Sequence, residues 1–226
     1  MRKRSQGRQK EFRMKKITKI SMQQNGERYN LFLDEEFFCG ISEDTLVKLQ
    51  LKKGMEVDEE SLVRLIEEER KNQCLNYAIW LLTKQNYFQQ VLVTKLQAKE
   101  YTQEEIAYVL EKLNTYQYLD DKRLTGSFVK DKKRFSKKGP QYIRQALRQK
   151  GVDQQVITEA LEEYYSEEEE IENCKAVAEK KLISYQRKES NGYTLKGKLY
   201  GFLMQRGFQS QTITKVLDLM WQEKNL

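Results

Sequence analysis

The chain has 226 residues, 38% hydrophobic and 33% charged, a balance that suits helices with wide solvated faces and a thin core. Eleven glycines and one proline are too few for the turns of a sandwich or barrel. The net charge of +7 invites a polyanion partner, and its location along the chain decides what it means.

Residues 1–16 carry eight Lys or Arg and one acid, so this segment alone holds the whole excess of +7 and the remainder is neutral. It reads as a disordered basic tail that adds non-specific affinity for polyanions and says nothing about the folded body. Residues 17–57 are the only stretch with strand character. Apolar positions alternate from Ile17 to Met22, Asn25-Gly26 signals a type I′ hairpin, and Tyr29, Leu31 and Leu33 alternate again. Glu36 to Ile41 supplies a third short strand, and Thr45 to Leu51 a short helix that ends before Gly54.

From Asp58 onward the periodicity is helical. Asp58 is an N-cap with Glu59 and Glu60 in the first turn, and the stretch to about residue 84 is one long helix or two with a break. Three segments beyond it then superpose without gaps, at spacings of 51 and 56 residues. Leu92, Ile143 and Leu199 correspond, as do Leu96, Leu147 and Leu203 on the same apolar face. Lys99, Lys150 and Arg206 follow in a last turn, where a cation complements the dipole. Gly151 and Gly207 fall where a helix ends in a left-handed residue; Glu100 in that column predicts strain or a different turn. Tyr101, Val152 and Phe208 plug the gap between helices, and Thr102, Asp153 and Gln209 occupy the N-cap column of the next helix, with Gln209 the poorest cap. Ile106, Ile157 and Ile213 with Leu110, Leu161 and Leu217 form that helix's buried stripe. The spacing leaves room for one more helix per unit. The fold predicted is an all-α array of tandem three-helix units, elongated and curved, at residues 58–116, 117–165 and 166–226, behind a β-hairpin extension.

Between the first two units stands Tyr118-Leu119-Asp120-Asp121-x-Arg123, followed by Lys138-Gly139-Pro140-x-x-Ile143-Arg144-x-x-Leu147-x-x-Lys150-Gly151-Val152. Asp120 can cap a helix, and Pro140 suits the first position of the next. This motif, with the repeats over roughly residues 70–220, resembles the RecX family; Leu124-Thr125 depart from the phenylalanine or alanine usual after the arginine. The resemblance implies a non-enzymatic bacterial regulator, cytoplasmic and monomeric. Such a protein binds the RecA filament on single-stranded DNA and restrains its ATP hydrolysis, strand exchange and co-protease activity, in recombination, DNA repair and the SOS response. It implies no cofactor.

The residues have bland readings beside these. Adjacent Asp120 and Asp121 point in different directions and read as one N-cap plus one dipole-complementing acid, with Arg123 or another basic residue of the chain, and not a metal, as the expected partner. Arg144 and Arg148 share a face of the helix from Pro140, with Lys137 and Lys138 at its N-terminus. Contact with phosphate, with an acidic partner surface or with the chain's own Glu162–Glu172 block all fit that arrangement. The partner-binding residues expected on the concave face are Arg123, Lys138, Arg144, Arg148 and Lys150; Tyr118, Leu119, Gly139, Pro140 and Gly151 read as structural. The aromatics Tyr77, Trp80, Tyr87 and Phe88 read as core, and Trp221 as a seal on the last unit.

Other classes fall away by inventory. Cys39, Cys74 and Cys174 are isolated and histidine is absent, so a zinc site lacks ligands and the cysteines read as free thiols in a reducing compartment. There is no GxSxG or P-loop pattern for catalysis. No apolar run reaches the length of a membrane span, and no hydrophobic segment follows the basic N-terminus as a secretory signal requires. A helix-turn-helix transcription factor is disfavoured by Glu104, Glu105 and Glu111 on the second helix of the first pair, which phosphate repels. Direct DNA binding by the repeats is the alternative to filament control.

Overall fold

The structure is a computed structural model and describes residues 14–24, 26, 28–187 and 191–224. Four strands, β1 (Met14–Met22), β2 (Arg28–Leu33), β3 (Glu36–Ser42) and β4 (Glu56–Asp58), form an antiparallel sheet in the order β3-β2-β1-β4. A short helix α1 (Glu43–Lys48) sits between β3 and β4. Nine further helices follow: α2 (Glu59–Lys84), α3 (Gln89–Gln97), α4 (Gln103–Thr115), α5 (Asp121–Arg134), α6 (Pro140–Arg148), α7 (Gln154–Tyr164), α8 (Glu167–Gln186), α9 (Gly192–Gln205) and α10 (Ser210–Lys224). All counts are of the described residues.

Contacts divide the chain into two compact units. One holds the chain up to Trp80 together with Tyr101–Val109; the other holds Leu81–Glu100 and everything from Leu110. In the first unit, Leu31 and Leu33 of β2 point inward with Ile17 and Ile41, and Leu62 and Ile66 of α2 close the core over them. Residues 59–84 form a single helix, and Asp58 before it caps it by accepting from the Ser61 N–H at 2.9 Å.

The sheet corrects three sequence expectations. Met14–Lys16 are not tail: they pair with Glu56–Asp58, an acid-flanked strand too short to show periodicity. The short helix begins at Glu43, because the Ser42 hydroxyl accepts from the Thr45 N–H two residues before the expected start. The β1–β2 turn is closed by the Gly26 N–H on the Gln23 carbonyl at 3.0 Å, so Gly26 (φ +72°) closes that turn instead of sitting at its centre. Residues 1–13, and Asn25 of the hairpin signal, lie outside the described residues.

In the second unit the gap-free columns of the repeat are the core. Leu92, Ile143 and Leu199, and Leu96, Leu147 and Leu203 four residues on, are fully buried. Ile157 and Ile213 are buried beside Leu161 and Leu217, whereas Leu110, expected in the same stripe, is only half-buried. Helices α5, α6 and α7 pack on one cluster with Phe88, and α8, α9 and α10 on another. The left-handed turns fall where expected: Gly151 has φ +78° and Gly207 φ +86°. Glu100 adopts φ +61° without a glycine's freedom, the strain that column predicts.

Candidate partner-binding surface

The acidic motif is built into helix ends. Asp120 accepts from the Arg123 N–H at 2.9 Å and so caps α5, and its other oxygen lies 3.6 Å from the Arg123 guanidinium. Asp121 instead serves a different helix: its carboxylate accepts from the Gln89 N–H at 2.9 Å, where α3 has no cap of its own. Burial pushes the Asp121 carboxyl up, against the pull of that N–H. Tyr118 is exposed, and its N–H closes the end of α4 on the Leu113 carbonyl at 2.9 Å; Leu119 is half-buried.

Gly139 and Pro140 form a joint between the second and third repeats. The N–H groups at the start of α6 have no acceptors within the helix; Pro140 at its first position has none to satisfy, and those on either side of it find acceptors across the joint. Gly139 N–H donates to the Arg206 carbonyl at 3.0 Å and Gln141 N–H to the Gly207 carbonyl at 2.9 Å. The start of α6 thus meets the end of α9, positive dipole end to negative. A side chain on Gly139 would run into the Gly207 backbone, and one on Gly207 into Tyr142. Gly151 makes the matching approach to Gln90 at the start of α3. The motif glycines are therefore closure points between successive repeats, a reason the spacing alone does not show.

The five expected contact residues lie in different settings. Arg144 donates to the Thr158 hydroxyl at 3.1 Å and Arg148 to the Gln154 amide oxygen at 2.8 Å; Gln154 in turn donates to Thr158. Their hydrogen-bond partners are neutral, so this pair forms one positive network across α6 and α7. Lys138 lies 3.9 Å from the Tyr142 ring centroid, and Lys150 lies 5.8 Å from those of both Phe88 and Phe128. Burial, with Arg206 and Lys132 nearby, pushes the Lys138 ammonium below its usual range. Arg123, 76% exposed, is held apart from these on α5.

Two acids of the Glu162–Glu172 block are bonded to partners other than the α6 arginines. Glu169 pairs with Lys133 at 2.6 Å, and Lys133 also donates to the Tyr164 carbonyl. Glu170, buried in α8, accepts from the Gln209 N–H at 2.8 Å and from its amide at 3.1 Å, supplying the cap that Gln209 lacks. In the first unit Glu105 is likewise internal: it pairs with Arg70 at 2.5 Å and closes a capping box with Thr102.

The aromatics divide. Phe88 is core, edge-on to Phe128, whereas Tyr77 stacks on Trp80 at 5.8 Å and Trp80 is 53% exposed. Trp221 is half-buried against the last cluster. Burial pushes the Cys74 and Cys174 thiols up to about 12, which keeps both protonated. Among the described residues no group of three or more Cys, Asp or Glu is placed to hold a metal, and no helix is long and apolar enough to cross a membrane.

Successive helix triplets built on the same buried columns define a helical-repeat protein. Comparison with known families narrows this. Models of the regulatory protein RecX N-terminal domain and of the first, second and third three-helix domains of RecX match residues 15–58, 74–113, 120–161 and 167–217. A regulatory protein RecX of Clostridium botulinum (strain Alaska E43 / Type E3) is 36% identical over 205 residues, 90% of this chain and 95% of its own length. That of Bacillus subtilis (strain 168) is 33% identical over 203 residues, 89% of this chain and 76% of its own. A crystal structure of regulatory protein RecX superposes with a TM-score of 0.65 at 28% identity, over 90% of this chain and 99% of that one. The fold also matches the crystal structure of RecX from Lactobacillus salivarius, with a TM-score of 0.60 at 24% identity, over 67% of this chain and 99% of that one. The chain belongs to the RecX family of regulatory proteins.

Proposed function

We propose that this protein is a cytoplasmic, non-enzymatic regulator that binds the RecA filament on single-stranded DNA and restrains its ATPase, strand-exchange and co-protease activities. The observation that carries this reading is membership of a family of regulatory proteins over nearly the whole chain. The contact surface is centred on Arg144 and Arg148, whose hydrogen bonds among the described residues are to neutral groups of α7. Lys138 and Lys150 flank it at the two ends of α6, and Arg123, apart on α5, adds a further contact. Such a surface suits an acidic protein face, where charge complementarity fixes register and speeds encounter.

The test is RecA ATP hydrolysis on single-stranded DNA at near-physiological salt, with this protein titrated in. Hydrolysis is expected to fall at or below one protein per RecA. The double variant Arg144→Glu, Arg148→Glu should need about tenfold more protein for the same fall, equivalent to roughly 1.4 kcal/mol of binding. A flat titration of the wild-type chain counts against the reading, and an unchanged variant against the surface.

A further inference from the structure

A groove of about 560 Å³ lies among the end of α5, the middle of α8 and the end of α9. Its lining includes Lys137, Lys180, Lys181 and Arg206 and no acid. Val177 and Phe202 give it an apolar floor, and Phe135 stands beside it with 74% of its surface exposed. A phenylalanine is normally among the most buried side chains, so its exposure next to four cations is the feature to explain.

The groove is held in shape from below. Lys137 donates to the Asn173 amide oxygen at 3.0 Å, and Arg206 to the Ser136 carbonyl, which pins both cations in the wall. Lys181 lies 4.8 Å and 5.1 Å from the Tyr185 and Phe202 ring centroids. Gathering like charges without an acid costs repulsion that an anion would relieve, and Lys132 and Lys138 add to the same positive cluster.

We propose that this groove binds single-stranded nucleic acid, with one base stacked on the Phe135 ring and neighbouring phosphates on Lys180 and Lys181. A polynucleotide brings a flat apolar face and a negative charge in every unit, the pairing of groups that this groove presents. Bases inside a duplex cannot reach the ring, so the ligand is a single strand. The contact goes beyond filament regulation, and naked DNA tests it without RecA.

The experiment is fluorescence anisotropy of fluorescein-labelled (dT)20 with the full chain, between 50 and 200 mM KCl. Phe135→Ala, which changes no charge, is expected to weaken binding about fivefold or more with the same salt dependence. Lys180→Ala with Lys181→Ala should make the slope of log affinity against log salt shallower by about 1.4, from two lost phosphate contacts. Lys52→Ala with Lys53→Ala, the same charge change in the other compact unit, should leave the slope unaltered. Circular dichroism establishes that each variant is folded. The proposal is overturned if Phe135→Ala binds (dT)20 as wild type does, or if the Lys52 and Lys53 pair flattens the slope equally. It is also overturned if a 20-residue glutamate-rich peptide, and not (dT)20, depends on Phe135, which would assign the groove to an acidic protein segment.

Discussion

At the scale of the residue, Gly207 meets two demands at once. Its φ of +86° is a conformation that costs other residues about 1–2 kcal/mol, and an added Cβ would strike the backbone of Tyr142, which cannot swing aside. Gly207→Ala should therefore lose about 3 kcal/mol or more, read as a fall in Tm of roughly 6–12 °C. Gly197 is the contrast: it lies within α9 with nothing within 4 Å of an added Cβ, so Gly197→Ala should gain about 0.5–1 kcal/mol. Thermal unfolding by circular dichroism measures both, and a Gly207→Ala chain that melts with the wild type would show that the close approach is absent. The sequence makes the left-handed turn at Gly207 readable, because Gly151 occupies the same column. It does not reveal Tyr142, a partner from another repeat, and so the larger part of the cost is visible only in the structure.

At the scale of the element, the repeats solve a recurring problem, the unpaired N–H groups at each helix start, by several different means. Asp153 and Ser166 cap their own helices, and Ser166 adds a capping box with Glu169. These are legible because cap and helix are neighbours in sequence. The starts of α3 and α10 are capped from a distance by Asp121 and Glu170, and local pattern carries no trace of that. Glu170 has a testable consequence. Burial raises its carboxyl above the usual 4.5, against the pull of the Gln209 donors, so folding favours the protonated form. The folded chain then holds a proton that the unfolded chain releases, and the stability linked to this group falls as pH rises from about 4.5 through the raised value. Glu170→Gln keeps an oxygen for the Gln209 N–H and removes the ionisation. Its Tm relative to wild type should be level near pH 4.5 and higher at pH 7.5, whereas Glu170→Ala should lose about 1 kcal/mol at both for want of a cap. A Glu170→Gln chain less stable than wild type at pH 7.5 would show that the ionised carboxylate is the better cap.

At the scale of the whole molecule, what the sequence discloses depends on how local the signal is. Family and helical repeats were legible from a motif of about thirty residues and gap-free columns, because each unit repeats the same packing. The groove beside Phe135 was not, since its cations come from positions as far apart as Lys137, Lys180 and Arg206. Charge, too, is divided along the chain. Residues 1–13 carry six Lys or Arg and one acid, whereas β1 begins at Met14, so a chain that starts there keeps every described element. This separates polyanion attraction from the specific surfaces. Without the first thirteen residues, duplex DNA binding should weaken, and its salt slope should become shallower by up to about 5, close to 0.9 for each lost cation. Restraint of RecA hydrolysis near 0.15 M salt should hold within about twofold, because exposed charges act over only about 8 Å there while the repeats and their α6 arginines remain. The Phe135→Ala effect on (dT)20 should also persist in the shortened chain. If shortening abolished the restraint instead, a basic tether to DNA, and not the repeat surface, would be the part that acts on the filament.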